Sequence, residues 1–84
     1  MQPDALVLAQ VVDVIRTSAR LAPTILVTPD SRMAEDLGVD SLGLVRLALE
    51  LERRFGVFVE AEQLIGFHVV SDVVEYISLA RTAA

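Results

Sequence analysis

Apolar positions recur at helical spacing over much of this chain. In residues 4–20, DALVLAQVVDVIRTSAR, Leu8, Val11, Val12, Ile15 and Ala19 recur as an apolar stripe, while Asp4, Asp13, Arg16 and Arg20 lie elsewhere around the wheel. The spacing predicts a first helix, and Pro3 is tolerated near its first turn. Residues 21–30, LAPTILVTPD, hold two prolines and no amphipathic period. They read as a loop that leaves the first helix near Pro23. TILVT has strand-like residues, but nothing else in the chain offers it a partner, so an extended, partly buried loop is expected. In PDSRMAEDLG, Asp30 or Ser31 serves as an N-cap for one short helical turn, which Gly38 stops.

Residues 41–55 form the strongest helical pattern, with Gly56 as the stop. Residues 57–60 turn the chain. EAEQLIGF reads as a short third helix ending near Gly66. VVSDVVEYISLARTAA reads as the last helix, burying Val70, Val73, Val74, Ile77 and Ala80. The expected fold is all-α: a small four-helix bundle of three longer helices and one short third helix, with a long first loop.

The second helix has two apolar faces. At about 100° per residue, Leu44, Leu47, Ala48, Leu51 and Phe55 gather on one side. Leu42, Val45 and Leu49 gather on the other, flanked by Arg46 and Arg53. A helix in a small bundle shows water on its second side, so this stripe needs an explanation. Either the first loop, with Ile25, Leu26 and Val27, folds over it, or it is a strip for docking a partner. Periodicity does not separate the two.

Composition narrows the class. Of 84 residues, 54% are apolar, which excludes a disordered chain. Cysteine is absent, which removes disulfides and thiolate metal sites. No pair of His, Asp and Glu is placed convincingly for a metal. The N-terminus has no basic stretch like that of a signal peptide, and charges break every apolar run well short of a membrane span. Cytoplasm is the default expectation, and no membrane insertion is expected. Met1 and the full set of helices lead to the expectation of one free-standing domain over residues 1–84, acting as a monomer. The formal net charge of −5 argues against nucleic acid as a partner. All seven basic residues are Arg, so no lysine is available for Schiff-base chemistry. One histidine and no credible nucleophile–base pair argue against catalysis.

Asp40-Ser41 stands where the loop becomes the second helix. Either residue makes a good N-cap, and one suffices. If Asp40 caps, Ser41 takes the first helical position and its hydroxyl is free. A helix N-terminus favours a phosphate there. From the residues alone, capping is enough to explain the pair.

The wider pattern adds to this. DLGVDSL, an apolar helix ending LERRFG, a short acidic helix and then FHVVSDVVEYI together resemble the acyl carrier protein family, from about residue 4 to residue 80. The resemblance centres on Asp40-Ser41-Leu42, preceded by Asp36-Leu37-Gly38. It implies that a phosphopantetheinyl transferase attaches 4′-phosphopantetheine from coenzyme A to Ser41. The arm's thiol then holds an acyl group as a thioester, which also accounts for a chain without cysteine. It implies a carrier that is not an enzyme, presenting its cargo to the acyl ligase or synthase enzymes of a fatty-acid, polyketide or modified-lipid pathway. It also implies docking through Leu42, Val45 and Leu49, and an interior near the acyl chain lined by Leu47, Leu51 and Phe55.

The chain departs from the family pattern at Gly43 and Arg46, where typical fatty-acid carriers hold acids that meet basic patches on partners. Residues 41–56 carry three arginines against two glutamates, a local sum of +1. Arg46 thus joins the docking residues with reversed charge, and the expectation is a specialised carrier rather than the housekeeping one. Gly43 reads as a residue tolerated at an exposed position. His68 reads as a polar residue at the start of the last helix, and Tyr76 as a core or boundary aromatic. The alternatives are an unmodified helical docking subunit, or an aminoacyl or peptidyl carrier.

Overall fold

The computed structural model describes residues 5–83, with side chains through residue 80. It contains α1 (Ala5–Ala19), α2 (Ser41–Phe55), α3 (Ala61–Ile65) and α4 (Val70–Ala83). No strand forms among the described residues; Arg32 and Val69 make one isolated antiparallel bridge. The expected all-α bundle with a long first loop is therefore the observed fold. The expected helix start at Asp4 lies outside the described residues.

α1 packs against both α2 and α4, and α3 packs against α2. Because α1 meets two neighbours, its buried face is turned from the expected stripe. Val7, Val11, Val14 and Ile15 are buried, whereas Leu8, Val12 and Ala19 are half-buried. Val7 and Val14 were missing from the stripe read from sequence. The buried set recurs at four, seven and eight residues, so the period was right and its phase was not. α2 buries Leu47, Ala48 and Leu51, with Leu44 and Phe55 packed at the margin. α4 buries Val70, Val73, Val74 and Ile77, while Ala80 is half-buried.

The ends of the helices follow local chemistry. α1 stops earlier than Pro23. Arg20 takes a left-handed conformation (φ 53°), and Leu21 N–H donates to Arg16 O at 3.1 Å. That six-to-one bond is the Schellman closure, here without glycine. Arg16 Nη2 then donates to Ile25 O at 2.7 Å and ties the loop back onto α1. Ile25 and Val27 pack against the core and Leu26 is 78% exposed, so TILVT is the partly buried loop expected. α2 ends at Gly56, which is left-handed (φ 66°) and donates its N–H to Glu52 O at 2.9 Å. Arg54 of α2 reaches Asp13 of α1 at 3.1 Å.

Leu51 has no exposed surface, whereas Leu49, two residues earlier, is 57% exposed. Leu51→Ala is expected to lose about 2–5 kcal/mol of stability through lost burial and the cavity left behind. Leu49→Ala is expected to cost about 0.5 kcal/mol or less. Urea denaturation of both variants beside the parent chain checks the contrast.

Candidate functional site

The start of α2 is built by the loop before it. Residues 29–33 lie against the start of α4, where Met33 N–H donates to His68 O at 2.8 Å. Val70 N–H donates to Ser31 O at 3.0 Å, and Ser71 N–H donates to Pro29 O at 2.9 Å. Asp72 steadies the other side of this contact. Its Oδ2 accepts from His68 N–H and Val69 N–H, both at 3.0 Å, as a carboxylate does in the first turn of a helix. His68 serves here through its backbone; its side chain is exposed.

The loop then makes a single helical turn, with Asp36 N–H to Arg32 O at 3.0 Å and Gly38 N–H to Ala34 O at 3.1 Å. Its capping differs from expectation. Ser31 Oγ accepts instead from Thr28 N–H at 2.9 Å, and Asp36 folds back to accept from Arg32 N–H at 2.8 Å. The same Asp36 carboxylate takes the Arg32 guanidinium at 3.1 and 3.3 Å. Hydrogen bonding to Arg32 holds the Asp36 carboxyl below its usual range and raises Arg32. Gly38 is left-handed (φ 67°), a conformation that favours glycine, and it turns the chain toward α2. Val39 N–H donates to Met33 O at 2.8 Å. Met33, Leu37 and Val39 are all buried. Core packing therefore holds the residues on both sides of the turn.

Asp40 follows in extended conformation (φ −92°, ψ −173°) and caps α2, accepting from Gly43 N–H through Oδ1 at 2.8 Å. Ser41 is the first residue of the helix and is exposed. Its hydroxyl makes no hydrogen bond among the described residues. The capping task thus falls to Asp40, and Ser41 is left with an accessible hydroxyl beside unpaired first-turn N–H groups. These groups and the positive end of the helix dipole suit a phosphodiester on Ser41 Oγ.

Gly43 has a role that the sequence reading did not assign. A Cβ at that position would stand 3.1 Å from Val39 Cγ1 and 3.3 Å from Asp40 Oδ1. Glycine lets the buried Val39 and the capping carboxylate close against the first turn. Gly43 is half-buried rather than exposed, and an added Cβ would require the Val39 and Asp40 side chains to give by a few tenths of an ångström.

The other candidate residues separate into two groups. Leu42, Val45 and Leu49 are 57%, 48% and 57% exposed, so the first loop does not cover them. Arg46 is exposed in the same strip. Leu47 and Leu51 are buried, and Phe55 packs against the core. Beyond α2, Glu52 Oε2 accepts from Val59 N–H at 2.9 Å. Tyr76 donates to Phe58 O at 2.6 Å and stacks edge-on against Phe67, with centroids 5.8 Å apart. Tyr76 is thus the boundary aromatic expected, with a bond that anchors the turn before α3. Among the described residues, no group of His, Asp and Glu is arranged to hold a metal ion, and no helix is long and apolar enough to cross a membrane.

Comparison with known proteins points in one direction. The phosphopantetheine attachment site family matches residues 9–77. An acyl carrier protein of Rickettsia bellii is 51% identical over 51 residues, covering 61% of this chain and 59% of the relative. The meromycolate extension acyl carrier protein of Mycobacterium leprae is 34% identical over 71 residues, covering 84% of this chain and 61% of the relative. Its counterpart in Mycolicibacterium smegmatis is 35% identical over 71 residues, covering 84% of this chain and 71% of the relative. The chain thus spans about three fifths of the length of the first two relatives.

Two outcomes test the local construction. Asp40→Ala is expected to cost about 1 kcal/mol through the lost cap, and Asp40→Asn much less, as read by urea denaturation. The Arg32–Asp36 contact carries a pH dependence. Asp36 titrates lower in the folded chain than unfolded, so its contribution is complete above about pH 4 and fades as pH falls through the lowered value. Asp36→Asn is expected to remove that part of the acid-induced loss, seen as a flatter fall in urea midpoint below pH 4.

Proposed function

The chain belongs to the acyl carrier protein family, whose members hold 4′-phosphopantetheine covalently, and on that premise we propose that Ser41 is its attachment residue. One observation carries the assignment. Asp40 caps α2 through Gly43 N–H, which leaves the exposed Ser41 hydroxyl without a partner among the described residues.

In this reading a phosphopantetheinyl transferase binds the start of α2 and coenzyme A together. Ser41 Oγ loses its proton and forms a bond to the phosphorus next to the pantetheine. The pyrophosphate bond of coenzyme A breaks, and adenosine 3′,5′-bisphosphate leaves. When bound, the group supplies a flexible arm whose terminal thiol holds an acyl chain as a thioester. The protein's own residues perform no catalysis. Asp40 and Gly43 hold Ser41 at the helix start, and Leu42, Val45 and Leu49 present an apolar strip beside it. Leu47, Leu51 and Phe55 form the interior wall nearest an acyl chain that folds inward. Docking of a partner on the strip sets the arm's thioester at a high effective concentration, so weak binding is sufficient.

The proposed role is that of one carrier domain over residues 1–84, acting as a monomer in the cytoplasm, where coenzyme A is available. The cargo is proposed to be an acyl group of a specialised lipid or polyketide pathway, handed between its ligase and synthase enzymes. The match to meromycolate extension carriers over most of this chain supports a long-chain lipid setting. The exposed Arg46 supports a dedicated set of partners.

Incubation with coenzyme A, magnesium and a broad-specificity transferase is expected to add the mass of one phosphopantetheine to the chain. Ser41→Ala is expected to stay unmodified with its fold intact. Intact mass spectrometry reads both. A well-folded parent chain that several transferases leave unmodified would refute the assignment.

A further inference from the structure

α2 places three exposed apolar side chains around one cation. Leu42, Val45, Arg46 and Leu49 fall within an arc of about 100° and a length of about 10 Å. The other two arginines of this helix are engaged: Arg53 with Glu50 at 2.9 Å and Arg54 with Asp13 at 3.1 Å. Glu50 is the residue one turn beyond Arg46 and would pair with it, but it is turned to Arg53. The Arg46 guanidinium makes no ion pair or hydrogen bond among the described residues.

A surface that covers Leu42, Val45 and Leu49 also removes water from Arg46. Desolvating a cation without a partner is costly, so a stable complex needs an anion opposite it. A guanidinium offers parallel N–H groups that match a carboxylate in bidentate geometry. An extended polyanion, such as an acidic membrane, is disfavoured by the net charge of −5 on the whole chain. A single carboxylate within an apolar seat meets the local +1 of residues 41–56 without that long-range repulsion.

We propose that Arg46 determines the specificity of this strip, selecting partner enzymes that present a carboxylate within an apolar docking seat. The proposal rests on the carrier reading above. It adds the chemistry of the partner: the strip begins one residue after Ser41, so the enzyme that seats Arg46 is the one that receives the arm.

The test uses two probes: a β-ketoacyl synthase with an arginine at the centre of its carrier-docking face, and the same synthase with that arginine changed to glutamate. The full chain is first loaded with an acyl-phosphopantetheine arm, and intact mass confirms the loading. Failure at that step refutes the carrier reading, whereas discrimination between the synthases tests Arg46 alone. The parent chain is expected to show a KM roughly tenfold lower with the glutamate-bearing synthase than with the arginine-bearing one, at similar kcat. Arg46→Glu is expected to reverse the preference, and Arg46→Gln to lose most of it. The discrimination is expected to shrink as salt is raised. Since the exposed Arg46 guanidinium makes no ion pair or hydrogen bond among the described residues, all variants are expected to stay within a few degrees of the parent's thermal midpoint. The same preference in all three carriers, or an effect confined to kcat, would overturn the proposal. So would a concentration-dependent dimer, detected by light scattering, that Arg46→Glu dissolves, because the strip would then be occupied by a second copy of the chain.

Discussion

The bond from Gly43 N–H to Asp40 Oδ1 divides the Asp-Ser pair into two tasks. A helix start needs one side-chain acceptor, and Asp40 supplies it. Ser41 is then spared that work, although serine is itself a favoured cap. This division holds only while Asp40 is extended and close to the first turn. Buried Val39 on one side and the bare Cα of Gly43 on the other bring it there. The exposed hydroxyl is therefore positioned by packing around it, although its own side chain contributes nothing to the core.

That packing reaches across the molecule. Met33 accepts from Val39 and donates to His68, so one residue links the start of α2 to the start of α4. Asp72 fixes the backbone at His68 and Val69, and the Arg32–Asp36 contact closes the turn between. Loops that carry function are usually mobile unless a rigid scaffold holds them. Here the scaffold is a short run of backbone bonds, with Met33, Leu37 and Val39 buried beneath it. α2 itself divides by side: Leu47 and Leu51 enter the core, while Leu42, Val45 and Leu49 face outward with Arg46 among them. One helix thus joins the interior, the exposed Ser41 and the outer strip.

Much of this was legible from residues. The limits of α2 were marked by Asp40 and by Gly56, because a cap and a left-handed stop are local requirements of the backbone. The buried residues of α4 followed from simple periodicity. α1 was harder. It is apolar over much of its circumference, so which valines are buried depends on where α2 and α4 approach, and the sequence does not encode that in a single window. The first loop was legible as partly buried, and α1 ends within one residue of the limit its pattern set, although its left-handed closure falls on an arginine rather than on a glycine that would mark it. Ser31 Oγ accepts from Thr28 N–H rather than capping the turn, and Asp36 closes the turn by accepting from Arg32 N–H, a contact that the local pattern did not single out.

What the sequence alone determined is the set of local commitments: four helices, the two caps of α2, the Asp40-Ser41 placement and an α2 with two apolar faces. Each depends on groups within a few residues of one another, whose geometry the backbone largely dictates. Tertiary structure decided the questions that periodicity left open. It showed that the first loop packs Ile25 and Val27 elsewhere and leaves Leu42, Val45 and Leu49 bare. It gave Gly43 a steric reason and left Arg46 without an ion pair among the described residues, because Glu50 turns to Arg53. These outcomes depend on which surfaces meet and which partner lies nearest in space, and only the folded chain brings those distances together.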